Sequence, residues 1–196
     1  MVELAKKKAG EAGLTNMTFR EADAEDLPFP DGSFDVVLCN HGLVHTTDRV
    51  QALREMWRVL KRGGIGAIST WSTPERSLML SVVAKAIREH FPGAIVPGAP
   101  MWFDFGPEGV LQKALSDAGF DEIRVARHTI VQQMQNGEEY WAAVVGISGR
   151  LQMLLQNIPP EVASNIKGDV IKAAENFRTG EGIRIPCEEL TAWAKK

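Results

Sequence analysis

Four groups of side chains in this sequence have types and spacings that suit chemistry on a small ligand. The first is Asp23, in the acidic run of residues 21–26, directly after the short strand-like stretch Met17 to Arg20. A carboxylate at a strand's C-terminal end accepts hydrogen bonds from an amino group such as a purine's, while a neighbouring backbone N–H donates to a ring nitrogen. Open α/β sheets bind their ligands at that edge. The second group is Asn40-His41-Gly42, at the end of the apolar run that starts at Phe34, where a glycine permits close backbone approach. The third is His45, in the loop from Leu43 to Asp48. For His41 and His45 two readings stand: a general base, or a polar residue that holds the loop. The fourth is Trp71 with Met101, Trp102 and Phe103, which either line an apolar ligand pocket or simply fill the core. His90 and His128 fall in a helix end and a strand-like run and read as solvent-facing.

The elements that must position these groups follow from periodicity. Val2, Ala5 and Ala9 recur at helical intervals before Gly13, a C-terminal stop. Pro28, Pro30, Asp31 and Gly32 enforce a turn. Phe34 to Cys39 is β-branched and apolar, the kind of strand buried on both faces of a parallel sheet. Asp48 is the expected N-cap of a helix whose Val50, Leu53, Trp57 and Leu60 form one stripe, ended by Gly63-Gly64. Ile65 to Trp71 is the next strand, completing a parallel crossover unit.

Further on, Leu78 to Phe91 is helical, and Ala94 to Phe105 reads as a lid-like loop. Pro107 at a first helical position opens another helix ending at Gly119. Phe120 to Met134 is strand-like. Residues 138–157 and 160–177 carry two helical stripes, more in keeping with packed core than with a cofactor box. Thr179 to Pro186 reads as a loop, and residues 189–194 fit a strand or a helix equally well. The reading is one α/β domain over residues 1–196: a cofactor-side half at 1–76, a lid-like segment at 77–106 and a C-terminal half at 107–196.

Bulk properties exclude some classes. A formal net charge of -3 argues against nucleic acid or an anionic membrane as the main partner, and Lys6-Lys7-Lys8 reads as a solvated helix face. Cys39 and Cys187, the 2 cysteines, form no ligand or disulfide pattern, which suits a reduced, cytoplasmic setting. Nothing in the sequence has the apolar length of a membrane span or of a signal peptide. The 4 histidines are scattered and no metal is expected. No GxSxG or phosphate-binding loop occurs, against hydrolase and triphosphatase chemistry.

The string DAEDLPFPDGSFDVV, continued by the loop at residues 40–48 and by Arg54, Glu55, Arg58, Val59, Leu60, Lys61, Gly63 and Gly64, resembles the class I S-adenosylmethionine-dependent methyltransferases. The branch is that of ubiquinone-biosynthesis and other small-molecule enzymes. The resemblance implies a Rossmann-like methyltransferase sheet with a helical C-terminal elaboration and an antiparallel closing strand, IRIPCEELTAWAKK. It implies that Asp23 takes the adenine amino group and Ala24 the adjoining backbone contact. Asn40, His41 and Gly42 would pass the methionine half of S-adenosylmethionine, and the helix-to-turn signature would be structural.

The family's first two strands, with a Gly-rich loop and an acidic ribose ligand, have no counterpart in the sequence, which therefore reads as N-terminally truncated. Cofactor affinity is expected to be weak or absent, and the two bared sheet edges are expected to close on each other or be covered in a homodimer. A non-catalytic methyltransferase-like assembly protein is the rival reading. An NAD-dependent Rossmann enzyme is disfavoured, because its Gly-rich loop is absent.

Overall fold

The computed structural model describes residues 2–94 and 102–196. A helix, α1 (Val2–Glu11), leads into an irregular acidic segment and then into β1 (Phe34–Asn40). After a short 3-10 turn (Leu43–His45) come α2 (Arg49–Val59), β2 (Leu60–Trp71) and α3 (Leu78–His90). The remainder is α4 (Val110–Asp117), β3 (Asp121–Met134), α5 (Gly137–Ile147), α6 (Gly149–Asn157), α7 (Pro160–Glu175), β4 (Arg178–Thr179) and β5 (Gly182–Lys195). The sheet runs β1-β2-β5-β3, with β4 folded onto β5. β1 and β2 are parallel, whereas β5 is antiparallel to both of its long neighbours. The C-terminal ends of the two parallel strands, Asn40 and Trp71, thus lie on one sheet edge.

Side-chain alternation along β5 divides the core in two. Leu190, Ala192 and Ala194 face α2 and α4, packing with Leu53, Met56, Leu111 and Leu115. Ile183, Ile185 and Cys187 face the other way, toward α3, α5 and α7 through Val83, Tyr140, Val144, Ile166 and Val170. Buried Tyr140 donates its hydroxyl to the Met79 carbonyl, so its one polar atom is satisfied inside the core.

Several elements differ from the sequence reading. Residues 17–20 form no strand; the acidic segment holds only an isolated bridge between Asp23 and Asp26. With no strand there, the two edges do not close on each other, and β1 is a sheet edge. Nor is β1 buried on both faces. Val37 and Cys39 pack against the α2 side, but Val36 and Leu38 are 52% and 73% exposed. Ile65 and Trp193 continue the same uncovered face across β2 and β5.

Gly63-Gly64 does not stop the helix. α2 hands over to β2 at Leu60, and Gly63 (φ 75°) sits where the β1–β2 register shifts. Pro107 lies in a turn before α4, whose N-cap is Gly109. The single helix expected over 138–157 breaks at Ser148, which closes α5 and caps α6 through a 3.2 Å bond from the Leu151 N–H. The expected loop at 179–186 is the β4–β5 hairpin.

Candidate ligand-binding site

The acidic segment has no regular structure, so other elements must hold it. Arg58, in the last turn of α2, donates to the carbonyls of Phe29 and Leu27, each at 2.8 Å, and pairs with Glu55 and Asp31. Buried Glu55 in turn accepts the Leu27 N–H at 2.7 Å. The Arg58 hydrogen bond, ahead of the Leu27 amide, holds the Glu55 carboxyl below the usual carboxylate range despite its burial. At the other end of α2, Glu25 accepts the Thr47 and Asp48 N–H groups at 2.6 and 3.0 Å, and Asp48 caps the helix by accepting from Gln51. A carboxylate there also complements the positive end of the helix dipole. Asp23 is braced within this frame, its Oδ1 accepting the Glu25 N–H at 2.9 Å.

The frame encloses an open concavity of about 710 Å³, lined by Glu21 to Glu25 on one side and by Gly42, His45, Thr46 and Thr47 on the other. Asp23, Ala24, Gly42 and His45, chosen from the sequence, therefore share one wall-to-wall site. Gly42 is needed for room rather than for conformation. Its φ is -76°, but a Cβ would lie 2.8 Å from the Cys39 sulfur.

Asn40 and His41 do not line the concavity. Asn40 accepts the Ser69 hydroxyl across the parallel pair. His41 adopts φ 50°, unusual for a side-chain-bearing residue, and turns its ring onto Trp71, with centroids 4.0 Å apart and planes 28° from parallel. Its Nε2 lies 3.0 Å from Glu189 Oε2. Sequence reasoning missed Glu189 and its neighbour Glu188, because both sit inside what looked like a plain closing strand. Only their acidity, side by side in a mostly apolar stretch of β5, signalled them.

Glu188, on the opposite face, is buried. It accepts from the Ser72 hydroxyl at 2.7 Å and from Arg127 and Arg76, each at 3.1 Å. The Ser72 bond first, then the two guanidinium groups, keep its carboxyl below the ordinary range. This network ties the end of β2 to β5 and β3.

The aromatic group separates. Trp71 belongs to the His41 stack. Trp102 lines a different cavity of about 390 Å³ with Ala84, Ile87, Leu151 and Leu154, and Trp71 is not among the described residues around it. Phe103 meets Trp102 edge-on at 6.4 Å. Met101 lies outside the described residues. His90 pairs with Asp169 at 2.7 Å, and exposed His128 bonds Thr191 at 2.9 Å. Among the described residues no cluster of histidine, cysteine and carboxylate groups is arranged to hold a metal.

Comparison with known proteins agrees with this architecture. A crystal structure of the YcgJ protein of Bacillus subtilis superposes with a TM-score of 0.62 at 22% identity, covering 100% of this chain and 78% of that one. The fold is therefore a Rossmann-like α/β fold of the kind found in methyltransferase structures. Residues 1–68 match the family described as "Methyltransferase domain". Among curated relatives, the demethylmenaquinone methyltransferase of Deinococcus radiodurans is 39% identical over 113 residues, which are 57% of this chain and 46% of the relative. The ubiquinone/menaquinone biosynthesis C-methyltransferase of Shewanella frigidimarina is 32% identical over 134 residues, 63% of this chain and 53% of the relative. The chain thus spans about half the length of the curated relatives it matches.

Proposed function

We propose that the chain serves S-adenosylmethionine-dependent methyl transfer to a small-molecule acceptor, with the concavity around Asp23 as the adenosyl end of the site. One observation carries this reading. Asp23 has one carboxylate oxygen braced by the Glu25 amide while Oδ2 has no protein partner among the described residues, and the Ala24 amide beside it makes no backbone hydrogen bond. An acceptor and a donor thus stand side by side at the ligand edge of the sheet, which suits the amino group and ring nitrogen of adenine.

The sulfonium of the cofactor supplies an already activated methyl group. The chain's own residues are then asked to bind, orient and exclude water rather than to provide a strong base. Gly42 gives the ligand backbone to lie on. Exposed His45 lines the same concavity, which supports it as a residue to take or give a proton there. The names of the relatives make a quinone-type ring the first acceptor to try. The described concavity is open and lined by a few carboxylates and amides, with no basic group but His45, so binding by this chain alone is expected to be weak.

Titration calorimetry with S-adenosylhomocysteine tests the reading. Saturable binding that disappears in Asp23→Ala supports it, and binding indifferent to that substitution removes Asp23 from the site. A labelled-methyl assay with quinone acceptors then tests turnover.

A second reading has its own observation. The open β1 edge, flanked by exposed Val36 and Leu38, suits a homodimer that covers it, as an assembly protein would require. Sedimentation equilibrium separates the two: a concentration-independent monomer contradicts the homodimer.

A further inference from the structure

The clamp around His41 is more specific than a loop needs merely to be ordered. The chain leaves β1 through a residue in the left-handed region, a conformation that persists only where the surroundings over-determine it. Three contacts do so. The His41 N–H donates to the Ser69 carbonyl at 3.0 Å, the ring lies on Trp71, and Nε2 meets the Glu189 carboxylate. Both partners of this last pair are largely withdrawn from water, with side-chain exposures of 22% and 18%.

The other ring nitrogen, Nδ1, is buried and has no hydrogen-bond partner. That asymmetry fixes the proton. A proton on Nδ1 alone would leave a buried donor unpaired and turn the Nε2 lone pair toward a carboxylate. Of the two neutral tautomers, the one with its proton on Nε2, donated to Glu189, strands least.

We propose that Glu189 is a positioning residue. By accepting from Nε2 it holds His41 in one tautomer against Trp71, and through the His41 backbone it sets the turn that carries Gly42 into the ligand concavity. The second half of this statement rests on the concavity being the cofactor site; the first half does not. Glu189 touches no ligand in this account, and its influence passes through one imidazole. It comes from β5, the antiparallel strand paired to β2 with Glu189 opposite Trp71. The last strand of the chain thus reaches the exit of the first.

The test is nitrogen-15 NMR of the His41 ring together with S-adenosylhomocysteine titration, in wild type, Glu189→Gln and Glu189→Ala. Wild type is expected to show the Nε2-protonated pattern. Glu189→Gln keeps an acceptor oxygen and is expected to keep both that pattern and the affinity. Glu189→Ala is expected to mix the tautomers, shift the Gly42 amide and weaken binding by about tenfold. An Nδ1-protonated ring in wild type, or a pattern unchanged in Glu189→Ala, overturns the proposal. If no variant binds S-adenosylhomocysteine, the cofactor reading fails while the ring pattern still decides the role of Glu189. Should Glu189→Ala not fold, a Gln variant whose ring pattern departs from wild type overturns the proposal, and one that retains it supports it.

Discussion

The acidic segment that carries Asp23 is anchored, from Leu27 to Asp31, by a guanidinium on another element. Arg58 forks into two carbonyls of the acidic segment and two carboxylates, and without it that segment has no regular structure to fall back on. Arg58→Ala is therefore expected to weaken S-adenosylhomocysteine binding although Arg58 does not line the concavity. Arg58→Lys is expected to restore little, because an ammonium cannot reproduce the fork. Calorimetry on both variants checks this; a lysine variant with full affinity would show that charge alone suffices.

The sequence marked Glu55 and Arg58 as structural and Asp23 as ligand-facing, but it could not show that these two hold the segment on which Asp23 lies. That link is a contact between segments, invisible to local pattern. A second residue-scale expectation concerns Cys187, whose thiol burial pushes up to about 11. It should resist alkylation in the native state at neutral pH and react only on unfolding, as timed labelling would show.

At the scale of elements, α2 was the most legible because its stripe, its cap and its length all agree. Removing the cap in Asp48→Ala is expected to cost about 1 kcal/mol in denaturant unfolding. Leu53, with no exposed surface, anchors the helix to the sheet, and Leu53→Ala should cost about 2–5 kcal/mol. Where local signals conflicted with packing, packing won. Gly63-Gly64 looked like a helix stop, yet the turn is made at Leu60 and Gly63 serves the register shift. Met17 to Arg20 has strand-like residues but no strand beside it to pair with.

β5 was ambiguous because its alternation switches sides of the molecule midway, from the α3 and α7 side to the α2 and α4 side. At that switch sits Glu188, which with Glu55 gives an acid-side dependence. Both carboxyls are held below their unfolded values near about 4.3, so their stabilisation is complete above about pH 5. It is lost as pH falls through the lowered folded values. Glu188→Gln should flatten part of that loss in unfolding curves between about pH 5 and 3. An unchanged acid limb would remove Glu188 from the account.

Across the whole molecule, the sheet is covered on both sides only in part. The face formed by Val36, Leu38, Ile65 and Trp193 stays open beside an unpaired edge. Single exposed hydrophobics need no explanation, but four on one face next to such an edge do. Self-association detectable by sedimentation is expected, with Leu38→Lys shifting it toward monomer. The sequence reading anticipated bare edges from resemblance and expected them to close on each other or be covered in a homodimer; closure fails because it depends on a strand that residues 17–20 do not form, and the sedimentation test decides the homodimer.

The proposed methyl transfer depends on the concavity between the acidic segment and Gly42 binding the adenosyl group through Asp23 and Ala24. Amide chemical-shift mapping with S-adenosylhomocysteine tests it most directly, because it registers weak binding residue by residue. Saturable shifts centred on Ala24, Gly42 and Thr47, abolished in Asp23→Ala, are what the account predicts. Shifts elsewhere in the chain, or none at these amides at saturating ligand, would contradict it.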